Sequence, residues 1–295
     1  YSHAEGDSTT AIGGTSHAEG QLTTAKGNYS HAEGYGTISS GSHSHAEGSG
    51  SVAIGIGSHA EGTGSIVIAD YSHAEGYGTI VTGSFSHAEG YNTRAWGNFG
   101  SHAEGYATTA FGDISHAEGG QTVAVGQGSH AEGEFTTSIG VYSHAEGYYT
   151  TAKGVRSHAE GNLTIASGSF SHAEGSGSIA IGIASKAVGF NTTASGDYSY
   201  AGGNNTFSTG SYQTVVGSWN VGTDTTSFLI VGGGTDNGSR KDAFRVSNSS
   251  SIIVATQSAE PTWTGREGEM VPAVKSGQYF IFTYIAGAWR SASLA

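Results

Sequence analysis

From its first residue to about Gly217 the chain repeats one alternation of side chains. A small polar residue, a variable one, an alanine, a second variable one and a glycine follow in turn. Two linking residues come next, and the seven-residue phrase starts again. Every other phrase reads Ser-His-Ala-Glu-Gly over most of this length. Those between read Thr9-Thr10-Ala11-Ile12-Gly13, Ser51-Val52-Ala53-Ile54-Gly55 or Thr122-Val123-Ala124-Val125-Gly126. A seven-residue period is also that of a coiled coil, but a glycine in every phrase costs a helix about 1 kcal/mol relative to alanine. Short strands fit better, because successive side chains then point to opposite faces. The central Ala (Ser39, Val67, Val81 or Ser138 in some units) faces one way, and positions two and four face the other. Glycine permits the turn that follows. The expected unit is a narrow, flattened coil with two strands per 14 residues.

The histidines of the thirteen Ser-His-Ala-Glu-Gly copies are 14 residues apart, except for a step of 15 between His87 and His102. The extra residue falls in the linker Asn98-Phe99-Gly100, between strands. Three degenerate units, Ser185–Gly189, Ser199–Gly203 and Gln213–Gly217, continue the register. About sixteen rungs at roughly 4.8 Å per strand predict a rod on the order of 75 Å long.

Composition sharpens this picture. The 50 glycines would read as low complexity if they were not periodic. The net charge is −13, and the thirteen repeat glutamates account for all of it, leaving 11 acids against 11 bases. A basic nucleic-acid footprint is absent, and no run of 18 apolar residues predicts a membrane-spanning helix. No nucleic-acid partner or membrane insertion is expected. Upstream sequence is expected to precede Tyr1, which opens inside a repeat. There is no cysteine, so disulfides contribute nothing. A coil filled by alanine buries too little apolar surface to offset chain entropy, which predicts an obligate homo-oligomer.

The Ser-x-Ala-x-Gly halves resemble the YadA-like head repeats of trimeric autotransporter adhesins. Ser51–Gly55 and Ser178-Ile179-Ala180-Ile181-Gly182 match the commonest form, and the His-Ala-Glu version is similar to repeats of phage tail-fibre proteins. The resemblance covers about residues 1–217. It implies an all-β, left-handed parallel β-roll with three chains side by side; periodicity alone shows only that there is more than one chain.

Position four of the second halves ranges over Ile12, Lys26, Ser40, Trp96, Phe111 and Lys153, which suits a solvent face. The first halves are invariant and suit a face that meets the same surroundings at every rung. The expected surroundings are the trimer axis, and in the resembled family the matching half faces the other chains. The predicted ladder comprises His3, Glu5, His17, Glu19, His31, Glu33, His45, Glu47, His59, Glu61, His73, Glu75, His87 and Glu89. It continues through His102, Glu104, His116, Glu118, His130, Glu132, His144, Glu146, His158, Glu160, His172 and Glu174. Unneutralised glutamates along one axis repel, so protonated histidines donating to glutamates of neighbouring chains are expected. Stability should then peak between about pH 4 and 7. A solvent-exposed stripe and a divalent-metal site are the alternatives. A His–Glu catalytic dyad has neither a nucleophile nor a unique pocket beside it. No catalytic residue, cofactor or metal is assigned. His43, out of register, is expected to be a solvated turn residue.

Past Gly217 the pattern fades. Residues 218–256 hold apolar strand runs, Ser227–Gly234, Asp242–Val246 and Ser251–Ala255, and form an expected transition region. Ser227–Val246 is similar to the β-region that follows such repeats in phage fibres. Residues 257–295 contain both prolines and the one methionine, and resemble a small hairpin module near phage fibre ends. Its aromatics Trp263, Tyr279, Phe280, Tyr284 and Trp289 are read either as a core or as a surface that stacks on sugars. Trp263, Tyr279, Tyr284 and Trp289 are the candidate receptor contacts.

The leading expectation is a structural, non-enzymatic protein: an extracellular trimeric phage tail-fibre or spike segment in the virion tail. It would carry a C-terminal tip toward a host-surface glycan or protein receptor, alongside other virion tail proteins. The alternatives are a bacterial trimeric surface adhesin head at the cell surface, a structural filament subunit, or a glycan depolymerase. The last lacks its usual sign, paired acids in a long insertion.

Overall fold

A computed structural model of the chain describes residues 1–249, 252–254, 270–275, 278–285 and 288–294. The repeat region is a parallel β-solenoid of about 16 turns. Each turn carries one long strand, typically five residues from His to the residue after Gly, as in His17–Gln21. It also carries a two-residue strand in the second half, such as Thr24–Ala25. The two halves therefore differ in length, although their sequences share one pattern. Equivalent residues stack on each other in register: His17 over His31, Ala18 over Ala32, Glu19 over Glu33. The 15-residue turn keeps this register, with His87 over His102, because its extra residue lies outside the strands.

From the second turn on, the core is a double column of fully buried alanines from the two sheets, with Val67, Val81, Val215, Ser39, Ser138 and Ser208 in place of Ala at single rungs. Over the same turns, the small polar residue that opens each phrase is buried as well, which alternation alone does not reveal. In several first halves its hydroxyl closes the turn: Ser16, Ser30, Ser44 and Ser115 each donate to the glycine carbonyl three residues earlier at 2.6–2.8 Å. A buried hydroxyl paired in this way avoids the cost of desolvation without a partner. The hydroxyls of Thr23, Thr93, Thr122 and Ser157 are buried without a hydrogen-bond partner.

Two glycine columns let the rungs approach. At Gly133, φ is +103° and an added Cβ would lie 2.2 Å from the carbonyl oxygen of Gly147. Gly140 belongs to the second column and meets Gly154 in the same manner, at 1.9 Å. Ala69 stands in that second column, above Gly55. There the local bonding changes, and the Ser72 hydroxyl donates to Asp70 and Gly83 instead of the carbonyl three residues back. Turn carboxylates and amides tie neighbouring rungs: Asn28, Asp70, Asp113 and Asp197 each accept a backbone N–H from the rung before, at 2.7–2.8 Å.

The long-strand sheet runs past residue 217. After a loop, Ser227–Gly233 adds one more parallel strand, with Ile230 fully buried beside Val215. Asp242–Ser247 and Ile252–Val254 then continue the same sheet antiparallel. Met270–Lys275, Gln278–Ile285 and Ala288–Leu294 form a separate three-stranded antiparallel sheet.

Candidate functional site: the histidine–glutamate face

Alternation puts Ala inward and sends His and Glu outward from the same strand. Parallel stacking then converts the repeat into two columns. Imidazole rings of successive rungs stack at 4.6–5.0 Å, nearly parallel from His17 to His158. Glutamates line a shallow open groove beside them; the stretch containing Glu118, Glu132, Glu146, Glu160 and Glu174 encloses about 490 Å3. His3 and Glu5, in the first rung, are exposed. From His17 to Glu174 the side chains are about one-third exposed: 35% for His116 and 32% for Glu118, for example. The structure thus brings the whole predicted ladder together on one face of a single chain.

Within one chain the contacts of the face are long. Imidazole Nε2 and carboxylate oxygens lie from 3.5 Å (His59 to Glu47) to 4.0 Å (His144 to Glu132) apart. Hydrogen bonds between such groups are nearer 2.7–2.9 Å. The Nε2 atoms of twelve repeat histidines are buried without a hydrogen-bond partner.

Burial disfavours the charged imidazole within one chain. His45, His87 and His116 are held below the ordinary histidine value, first by burial and then by the neighbouring imidazoles of the column. Glu33 and Glu61 are pushed up to about 7, chiefly by hydrogen bonds to the carboxylates on either side. Glu47 and Glu75, between and beyond them, are pushed down by the same bonds. A protonated carboxyl donating to ionised neighbours relieves like-charge repulsion without help from His⁺. In the lone chain, burial disfavours the imidazolium at these rungs and the carboxyls at Glu33 and Glu61 hold protons more firmly than usual; the expected ladder is one between chains.

At the far end, several residues that the period did not single out close the solenoid. Buried Gln213 bonds Ser208, Thr209, Gly210, Asp224 and Ser227. The Asn220 amide pairs with both the N–H and C=O of Phe207, as a next strand would. Arg240 lies between the Phe207 and Trp219 rings and donates to the Asn205 and Asn220 carbonyls. Asp224 accepts from Thr226, Ser227 and Arg245, and these bonds hold its carboxyl well below the usual range despite burial. The one signal in the sequence is the loss of the glycine period after Trp219.

His43 is an exposed turn residue at φ +59°, stacked on Tyr29, as expected. In the C-terminal sheet Tyr284 and Trp289 sit opposite each other, edge to face at 5.3 Å. Trp289 also packs on buried Ala273 and Phe282, which favours the core reading for that residue. Trp263 and the side chain of Tyr279 lie outside the described residues.

An in-register parallel solenoid with one face repeated at every rung defines a structural repeat protein of the adhesin or fibre-head type. Its repeats match the YadA head domain repeat at residues 4–30, 46–68, 103–129, 131–157, 159–185 and 183–206, together just over half of the chain. The chain belongs to the YadA head family. YadA-like adhesin heads are extracellular surface proteins. None of the curated proteins matches the chain. Among the described residues no helix is long and apolar enough to cross a membrane.

Proposed function

We infer that this chain is the rod of a homotrimeric extracellular fibre, with the histidine–glutamate faces of three copies meeting along a common axis. The observation that carries this reading is an unvarying, one-third-exposed polar face running from His17 to Glu174, while the opposite face varies freely and exposes Ile12, Trp96, Phe111 and Ile139. A free surface has no physical reason to repeat itself at every rung; a surface pressed against copies of itself does. Family membership supports three chains.

The rod is a rigid spacer and clamp, and recognition falls to its varied outer face or its C-terminal end. There, three weak contacts combine through multivalency. Within this class a phage tail fibre is favoured by the His-Ala-Glu form of the repeat and by the separate antiparallel sheet at residues 270–294. The family match itself favours the second reading, a bacterial surface adhesin head. Native mass measurement of the full chain tests the shared claim: a trimer is expected, and a stable monomer overturns it. Acylation of the histidines by diethylpyrocarbonate then locates the axis. Repeat histidines should react far more slowly than His43; equal rates would put the face in solvent.

A further inference from the structure

We propose that the histidine–glutamate face binds divalent transition-metal ions of the zinc, cobalt and nickel class, in a row of sites each built from imidazole nitrogen and carboxylate oxygen of adjacent rungs. This goes beyond the three-chain reading and uses residues of one chain only. It takes up the divalent-metal alternative that the sequence left open, where no metal was assigned.

Three geometric observations support it. The sets His59–Glu61–His73, His102–Glu104–His116 and His116–Glu118–His130 each place three ligand atoms within 4.8 Å of one another. Within these sets the nitrogen–oxygen gaps are too long for hydrogen bonds: 3.5 Å for His102 to Glu104 and 3.6 Å for His116 to Glu118. Two ligand atoms bound tetrahedrally to one zinc ion, at 2.0–2.2 Å each, lie about 3.4 Å apart. The gaps thus have nearly the span of a coordinated ion. Finally, the Nε2 atoms facing these gaps are buried and without a hydrogen-bond partner. A buried lone pair with no donor is costly, and a cation between it and a carboxylate would satisfy both.

The donor set selects the ion. Imidazole with carboxylate suits zinc, copper, nickel and cobalt, whereas magnesium and calcium favour all-oxygen shells. Each Glu contributes one negative charge, so a filled site retains positive charge. Ions one strand spacing apart, about 4.8 Å, would repel strongly, which limits filling to alternate rungs and the total to about six per chain.

The experiment uses the full chain, stripped with a chelator and dialysed against zinc chloride at pH 7.5, with bound metal measured by elemental analysis. About six ions per chain at saturation are expected on the alternate-rung limit. Replacing His73, His87, His102, His116, His130 and His144 together by Gln should roughly halve that number while far-ultraviolet circular dichroism stays unchanged. If the variant does not fold, the wild-type protein still decides: zinc should slow diethylpyrocarbonate acylation of the repeat histidines several-fold and leave His43 unaffected. Cobalt should show the stronger visible absorption of a low-symmetry nitrogen–oxygen site. Fewer than one ion per chain, undiminished binding by a folded variant, or unprotected repeat histidines would overturn the proposal. Native mass is read alongside, in chelator and in zinc: a metal-free trimer in chelator keeps the three-chain reading, and a monomer in both that loads zinc keeps only this one.

Discussion

Gly133→Ala tests whether close rung approach, rather than turn flexibility alone, explains the invariant glycine of the motif. At φ +103° an L-residue is strained by about 1–3 kcal/mol. The new Cβ would also sit 2.2 Å from the Gly147 carbonyl oxygen and 2.9 Å from its nitrogen, both backbone atoms that cannot rotate away. Moving the rungs apart by roughly an ångström would sacrifice about two ladder hydrogen bonds, at about 1 kcal/mol each. The expected total is about 3–5 kcal/mol. Gly36→Ala is the control. Its φ is +64° and nothing lies within 4 Å of the added Cβ. Leu22, Ala107 and Leu163 already adopt this conformation at equivalent turns, so a cost of about 1 kcal/mol is expected. Guanidinium unfolding followed by circular dichroism, at fixed protein concentration, compares the two variants with wild type. Equal midpoints for Gly133→Ala and Gly36→Ala would refute the close-approach explanation.

Four further outcomes are expected. Ala69→Gly should restore the turn bonding of the other rungs and raise the thermal midpoint; a decrease would show that the irregular rung is itself stabilising. Arg240→Ala removes two carbonyl hydrogen bonds and the contact with Phe207 and Trp219. It should cost about 2–3 kcal/mol and speed hydrogen exchange at residues 205–220 while residues 100–130 stay protected. Asp224 has a depressed folded pKa, so its contribution is present above the ordinary aspartate value near 3.8 and is lost as pH falls through the lower folded one; Asp224→Asn should flatten the acid limb of stability below pH 4. For the face, nine histidines have lowered values, whereas Glu33 and Glu61 are pushed up to about 7 and Glu89 is raised, which opposes them. The histidine contribution is present above the unfolded value near 6.5 and is lost as pH falls through the lowered folded values; that of the raised carboxyls is lost as pH rises through about 7. Replacing Glu33, Glu61 and Glu89 together by Gln isolates the histidines: the thermal midpoint of that variant should fall from pH 7.5 to 5.5, and a rise would contradict the lowered values and favour the charged ladder.

Much of the rod was legible because its determinants are local. A period of 14, an alanine at every strand centre and a glycine at every turn specify the coil without reference to distant residues. The outward pairing of His with Glu follows from alternation in the same way. Their protonation does not, because it depends on how tightly identical groups stack on each other. Thirteen separate His-Ala-Glu triplets suggest salt bridges; stacking them part-buries the imidazoles and sets carboxyl against carboxyl, which lowers His45 and His87 and raises Glu33 and Glu61. Burial of the opening Ser and Thr was hidden by their polarity: Ser16 and Ser30 satisfy their hydroxyls on the chain's own turns, whereas Thr23 and Thr122 are buried without a partner. The closing end was illegible for another reason. Ile230 re-enters the core after a loop with no period, and Asn220 imitates a strand with its side chain, so neither leaves a repeating trace.

Near-identity of the rungs has a cost that its regularity conceals. A strand bearing Ser-His-Ala-Glu-Gly can dock on the wrong neighbour and satisfy the same core, the same hydroxyls and the same glycine contact, so a slip by one whole turn is barely penalised. Only features that break the monotony distinguish one address from another: the long turn at Asn98-Phe99-Gly100, the irregular rung at Ala69, and the stacked aromatics at strand ends such as Tyr77, Tyr91 and Tyr106. These act as phase marks. In a protein built by copying, the exceptions carry the information that tells each copy where it belongs.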